Sequence, residues 1–138
     1  MRLLKSLRHR TPDRIQIEWE TTNKKGYIQC DGTFPSPTRD MHVLQIQQNN
    51  QIVPVRMILP YSPTKHFVVL SPGLGEDLFK YREYISRRLI RHNIASIIIG
   101  GSFLGSRQID NTSRFVFGDA SAMMRLGITN IIELQSIV

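Results

Sequence analysis

Two short, almost wholly apolar runs constrain this chain more than any other feature: Phe67-Val68-Val69-Leu70 and Ile94-Ala95-Ser96-Ile97-Ile98-Ile99. Runs of this length fit strands buried on both faces of a parallel sheet. Parallel neighbours need a crossover connection, and on handedness grounds a right-handed one. The intervening residues supply it. A glycine-bearing loop, Ser71-Pro72-Gly73-Leu74-Gly75, follows the first run. Leu78, Tyr81, Ile85 and Leu89 then recur at three- and four-residue spacing and predict a helix with that apolar face. Glu76 and Asp77 fall in its first turn and Arg87, Arg88, Arg91 and His92 in its last, complementing the helix dipole at roughly 0.3 to 1 kcal/mol per well-placed charge. Asn93 suits a left-handed stop.

Upstream the pattern is antiparallel. Ile15, Ile17 and Trp19 alternate with polar residues, as in a half-buried strand or an extended approach segment. Asn23-Lys24-Lys25-Gly26 reads as a turn, and Tyr27-Ile28-Gln29-Cys30 as a short strand ended by Asp31-Gly32. Thr33-Phe34-Pro35-Ser36-Pro37 reads as loop, because its prolines lack ladder donors. His42-Val43-Leu44-Gln45-Ile46 and Val53-Pro54-Val55-Arg56-Met57-Ile58-Leu59 flank a polar turn and suit a hairpin, with Pro54 placing the second strand at an edge or near its own start. Residues 119–138 predict a closing helix whose apolar face holds Met124, Ile128, Ile131, Leu134 and Val138. The expected architecture is α/β: an antiparallel hairpin, then strand, helix, strand, helix, in a mixed sheet with flanking helices.

At 138 residues the chain suits one domain and can bury roughly two thirds of its unfolded surface. A basic N-terminal tail over residues 1–14 precedes a domain over 15–138. The single cysteine, Cys30, excludes an internal disulfide framework and a cysteine zinc cage. No apolar run approaches the roughly 20 residues of a membrane span. Nor does an apolar stretch follow the basic start, so a secretory signal is not expected. The start is amphipathic and acid-free, which fits either a mitochondrial presequence or a solvated tail; the expected location is mitochondrial or cytoplasmic.

Eighteen basic against eleven acidic residues give a net charge of +7. The charge is clustered, in the first fourteen residues and between Lys80 and Arg91. Lys80, Arg82, Arg87, Arg88 and Arg91 have the phases of a solvated helix face, and no recognition motif accompanies them, so nucleic acid is not an expected partner. His9, His42, His66 and His92 have no paired metal spacing and read as surface residues. No metal or cofactor is expected. Gly-x-Ser-x-Gly is absent, and Ser102, in Gly101-Ser102-Phe103-Leu104-Gly105, stands out of register for a nucleophile elbow. The loop from Ser71 to Asp77 joins a strand to a helix N-terminus, where unpaired N–H groups favour an anion. Pro72 has no N–H, so the donors are Gly73, Leu74 and Gly75. Leu78 stands where a dinucleotide fingerprint needs its third glycine. A tight strand-to-helix turn explains the glycines equally well.

Several stretches resemble the N-terminal part of an α/β-hydrolase, and more narrowly the family of abhydrolase domain-containing protein 18. Asp31-Gly32-Thr33-Phe34-Pro35-Ser36-Pro37 is similar to a stretch before that family's first hairpin. The segment from Leu70 to Arg82 resembles its Leu-Ala-Gly-Thr-Gly-Asp loop and helix start. The strand at Asn93 to Ile99, followed by Phe103-Leu104-Gly105-Ser106-Arg107, resembles its second buried strand and Tyr-Tyr-Gly-x-Arg loop, and Asp119 matches an aspartate near the start of its long helix. Gly-Leu-Gly-Glu-Asp departs from Gly-Thr-Gly-Asp, and Gly100-Gly101 replaces an acidic residue and its neighbour.

The resemblance implies a serine hydrolase of ester or lipid substrates, with Gly73, Leu74 and Gly75 donating backbone N–H groups to the oxyanion. It places the nucleophile, acid and histidine after residue 138, so no catalytic residue is expected within this chain. It also places Phe67 to Leu70 beside the nucleophile strand, leaving an apolar parallel edge. A fragment or truncated form that is poorly soluble, self-associating and inactive alone is the expectation, with substrate engaged only in a longer form. The competing expectation is a non-enzymatic basic module that binds an anionic surface or a partner protein.

Overall fold

The computed structural model describes residues 15–38, 52–73, 79–101 and 120–137. Among these residues five strands form one mixed sheet: β1 (Glu18–Lys24), β2 (Tyr27–Pro35), β3 (Ile52–Leu59), β4 (His66–Leu70) and β5 (Ile94–Ile99), in the spatial order β1-β2-β3-β5-β4. Helices α1 (Lys80–Ile90) and α2 (Ala120–Gln135) follow β4 and β5 respectively. β1, β2, β3 and β5 pair antiparallel in turn, and β4 alone runs parallel to β5, with Phe67 opposite Ala95 and Leu70 opposite Ile98. The strand, helix, strand, helix order is therefore as expected.

The antiparallel half departs from its sequence reading in an instructive way. β1 runs through Asn23 and Lys24, and only Lys25 and Gly26 turn, with Gly26 at φ 92. β1 is exposed throughout. Its half-buried residues, Ile15 and Ile17, precede it as an extended lead-in packed on the core. β2 does not stop at Asp31-Gly32 but continues to Pro35, and Phe34 inside the supposed loop is fully buried. Gly32 answers a close approach here instead of a turn. A Cβ on it would lie 2.6 Å from Ile17 Cγ2 and 2.9 Å from the Glu18 carbonyl oxygen. Pro35 is tolerated because it is the strand's last residue.

β3 is flanked by β2 and β5, so Pro54 stands in an internal strand and not at an edge. It is near the strand's start, as the alternative reading had it. Pairing with β5 begins only at Val55, and the Pro54 carbonyl accepts the Gly100 N–H at 2.7 Å. Residues 42–46, expected as the hairpin partner of β3, lie outside the described residues, as does the basic tail.

Successive strand residues face opposite sides, and the two faces carry one helix each. Phe34, Val53, Val55 and Ile99 form the core of one face, with Leu134 of α2 and Ile137 packed on it. Arg56 points to the other face and bonds Glu83 of α1 at 3.0 Å. Both helices turn the expected apolar face only partly inward: Ile85, Leu89 and Ile128 are half-buried, while the fully buried positions lie beside that face. In α1, Tyr81 is 63% exposed, while Arg82 and Ser86 are buried. In α2, Met124 and Ile131 are exposed, and Leu126, Thr129 and Glu133 are buried. Of the expected α2 face Leu134 does pack inward, whereas Val138 lies outside the described residues. α1 ends at Ile90, and the turn after it closes at Asn93, the expected left-handed stop, with φ 56 and its Nδ2 donating to the Pro63 carbonyl at 2.9 Å.

Candidate functional site

The C-terminal ends of β4 and β5 lie side by side, and it is outside such carboxyl ends that ligands bind in open α/β sheets. The chain leaves β4 at Leu70 through Ser71, Pro72 and Gly73, with Ser71 and Gly73 exposed. Leu74 and Gly75, the other proposed donors, lie outside the described residues, together with Glu76, Asp77 and Ser102. Glu76 and Asp77 precede the Phe79 N-cap of α1, so the acid in its first turn is Glu83 instead.

Beneath this loop stands a residue that the helical spacing assigns to solvent. Arg82 is 3% exposed, and its Nη1 donates to the Leu70 carbonyl at 3.1 Å and the Ile99 carbonyl at 2.5 Å. One nitrogen thus bridges the last residues of two parallel strands. Ser86, one turn on, is also buried and donates to the Arg82 carbonyl at 2.9 Å. The cue in the sequence was Ser86: a small residue among long ones marks the side of a helix that approaches the sheet. After β5, Gly100 is buried against Pro54. A Cβ there would lie 2.4 Å from the proline Cγ, so packing accounts for this glycine.

A second polar cluster joins α2 to the end of β2. Glu133, 1% exposed, accepts from Ser36 Oγ at 2.6 Å, and Ser36 Oγ lies 2.7 Å from Thr38 Oγ1. Here the Ser-Pro part of the quoted stretch has a physical role, since Ser36 and Thr38 anchor the closing helix. An ionic network joins α1 to the sheet. Arg56 Nε and Nη2 hold Asp31 at 2.5 and 3.0 Å, Glu83 takes Nη1, and the Phe79 ring lies 4.8 Å below the guanidinium. Burial pushes the Asp31 carboxyl up, but hydrogen bonds from Arg56 and Gln29 and the charges of Arg56 and Lys24 outweigh it, so it titrates below its usual 3.8. Burial also opposes the Arg56 charge, yet Asp31 and Glu83 hold that guanidinium above its ordinary value. Arg87 and Arg88 are exposed, bonded to Glu83 and Tyr84 on their own helix.

His66 and His92 are exposed, as the sequence reading has them. Cys30 is buried near Thr21 Oγ1. Among the described residues no three His, Cys, Asp or Glu side chains gather as metal ligands, and no helix is long and apolar enough to cross a membrane.

Comparison with known families now adds to the geometry. The family model described as alpha/beta hydrolase domain containing 18 matches residues 2–138. The chain belongs to this family. A solved structure of similar fold is the PEG-bound complex of a novel cold-adapted esterase from an Arctic intertidal metagenomic library, at a TM-score of 0.51 and 17% identity. The match covers 86% of this chain and 51% of the esterase, so the chain spans about half that protein's length. At this identity the likeness is one of fold alone. No curated protein matches the chain. The five-stranded mixed sheet with its two helices is a partial α/β-hydrolase fold.

Proposed function

We propose that this chain is the N-terminal part of a serine hydrolase acting on ester or lipid substrates, and that it contributes the oxyanion loop without the nucleophile. The observation that carries this reading is the position of β4. It is an apolar parallel strand at the edge of the described sheet, Phe67 is 55% exposed, and the Gly73-Leu74-Gly75 loop follows its C-terminal end. In this reading the nucleophile strand lies beside β4 and comes from sequence beyond residue 138. The serine Oγ adds to the ester carbonyl, a histidine takes its proton, and the backbone N–H groups of Gly73, Leu74 and Gly75 share in holding the carbonyl oxygen as it becomes an oxyanion. Without that strand the chain is inactive and prone to self-association through β4. The domain then runs over 15–138, and residues 1–14 form a basic tail that either directs the protein to the mitochondrion or leaves it in the cytosol. A reporter fused to residues 1–30 separates these two outcomes.

The rival reading, a basic docking module, draws on the exposed bases of α1. Arg87 and Arg88 are already engaged within the helix, and this favours the hydrolase.

The test is intact mass and fluorophosphonate labelling of the endogenous protein, captured by an antibody against residues 107–117. A species well above 15.9 kDa that takes the label on a serine beyond residue 138 is the expected result. An unlabelled species at 15.9 kDa overturns the hydrolase reading and returns the basic module. Ester turnover by purified 1–138, lost on a point change within it, overturns the claim of inactivity.

A further inference from the structure

Ser-Pro occurs at Ser36-Pro37, Ser62-Pro63 and Ser71-Pro72, and the fold gives each serine a different setting. Ser36 is fully buried, and its hydroxyl donates to Glu133. Ser71 is exposed, but the third residue after it is Leu74. Ser62 is exposed in the loop before β4, its hydroxyl makes no hydrogen bond among the described residues, and the third residue after it is Lys65. Pro63 steers Ser62 away from helical backbone and offers no N–H of its own. The backbone on either side is held. The Tyr61 hydroxyl donates to the Lys24 carbonyl at 2.7 Å, and Asn93 Nδ2 donates to the Pro63 carbonyl at 2.9 Å. Thr64, the neighbouring hydroxyl, is already engaged, donating to the Asn93 carbonyl and accepting the His66 N–H at 3.1 Å.

Those two bonds bring the tip of the β1–β2 hairpin to one side of Ser62 and the turn after α1 to the other. The three segments that meet here, 24–28, 60–66 and 87–93, hold Lys24, Lys25, Lys65, Arg87, Arg88 and Arg91 and not one Asp or Glu. Arg87 and Arg88 are bonded on their own helix, but Lys25, Lys65 and Arg91 are exposed and form no ion pair among the described residues. An acid-free rim of like charges around a free hydroxyl is a place where an added dianion gains partners and meets no repulsion.

We infer that Ser62 is a phosphorylation site for a proline-directed serine/threonine kinase, and that its phosphate is captured by the basic rim of Lys24, Lys25, Lys65 and Arg91. In the transfer, Ser62 Oγ bonds to the terminal phosphorus of a nucleoside triphosphate as the bond from that phosphorus to the bridging oxygen breaks. The nucleoside diphosphate leaves with the electron pair, and the hydroxyl proton passes to the kinase's catalytic carboxylate. The phosphoserine carries a charge of about −1.5 to −2 at neutral pH and three strong acceptor oxygens, so it ties the hairpin tip and the turn after α1 to the loop that leads into β4. The site stands on the fold and does not depend on the hydrolase reading.

The test incubates the 138-residue chain with magnesium ATP and a proline-directed kinase, and reads the tryptic peptide of residues 57–65 by fragmentation. Phosphate is expected on Ser62, lost in Ser62→Ala, unchanged in Ser71→Ala, and incorporated about threefold to tenfold more slowly in Lys65→Ala. Ser36 should stay unlabelled. No incorporation at Ser62 overturns the site, and equal labelling of Ser36 shows that the kinase acts on unfolded chain and overturns it too. Capture is read by hydrogen exchange, expected to slow about fivefold in peptides covering 23–28 and 60–66 of the phosphorylated chain and to stay unchanged at 28–34. The double variant Lys24→Ala with Arg91→Ala should take the phosphate normally and lose that slowing. Unchanged exchange in the phosphorylated wild type overturns capture by the rim. In the endogenous protein, recovered with phosphatases inhibited and no kinase added, the same peptide should carry phosphate on Ser62, and its absence there overturns the modification as one the cell makes.

Discussion

The two edges of the sheet are built from opposite materials. β1 carries Glu18, Glu20, Thr21, Thr22, Asn23 and Lys24, and every one of its residues is exposed. β4 is His66 followed by four apolar residues, and it is half-covered at best. Natural sheets blunt an edge with charge because bare N–H and C=O groups invite another strand. By that standard β1 is a finished edge and β4 an unfinished one. Glu and Lys are poor strand formers, so β1 depends on β2 for its conformation, whereas Phe67-Val68-Val69-Leu70 would be at home between two strands. Among the described residues one edge is polar and exposed, and the other is apolar and only half-covered.

The difference can be broken most severely where the two halves are joined. Glu133 of α2, beyond the parallel pair, accepts from Ser36 at the end of antiparallel β2. Glu133→Ala should cost about 2–4 kcal/mol by chemical denaturation, because it leaves a cavity and deprives a buried hydroxyl of its acceptor. Glu133→Gln, whose amide oxygen still accepts from Ser36, should cost less than half as much. Equal losses from both would mean that the negative charge itself, and not the hydrogen bond, secures α2.

The open edge can be closed on purpose. Phe67→Lys places a charge on β4 and removes an exposed aromatic ring, worth about 1–2 kcal/mol if that ring is covered on association. Self-association of the 138-residue chain should weaken by about tenfold in sedimentation velocity, while Trp19→Lys on the β1 side should leave it unchanged. If the Trp19 change matters more, the contrast between the edges has the wrong sign.

What the sequence disclosed follows the same division. The parallel half was legible as a succession of elements, because four- and six-residue apolar runs separated by a helical repeat admit few arrangements. Asn93 announced the helix stop through its own backbone preference. The antiparallel half was harder, since Gly32 and Pro35 serve as turn residues in most contexts. Only the crossing of Ile17 over β2 makes the glycine necessary inside a strand. The inward faces of both helices were hidden for another reason. Spacing arguments follow apolar residues, whereas the most buried positions of these helices include Arg82, Ser86, Thr129 and Glu133, of which Arg82 and Glu133 hydrogen-bond to the sheet and its end. Of the candidate oxyanion loop, the glycines were visible from the start. The guanidinium of Arg82, buried against the ends of β4 and β5, was not, because arginine on a helix is usually solvated.

A smaller effect concerns how α1 is held on the antiparallel strands. Asp31 titrates below its usual 3.8 in the fold, so the unfolded chain binds more protons as that range is crossed. Its contribution is therefore complete above about pH 4 and lost as pH falls through the lowered value. The urea midpoint should decline with acid below about pH 4, and Asp31→Asn should flatten that part of the decline. An unchanged slope in the variant would move the acid sensitivity to the other carboxylates, Glu83 first, since it shares Arg56.

The smallest expected change asks whether α2 also has an unfinished side. Gly127 lies within the helix, and a Cβ there would meet nothing within 4 Å. Its neighbours on that side, Met124 and Ile131, are 67% and 56% exposed. Alanine in place of a solvated helical glycine reduces the freedom of the unfolded chain without straining the folded one. Gly127→Ala should therefore raise stability by about 0.5–1 kcal/mol at any protein concentration. If the gain appears only in dilute samples and vanishes as concentration rises, a second copy has come close enough to this helix for one methyl group to be felt. In that event α2, and not β4 alone, would be an open side of the domain.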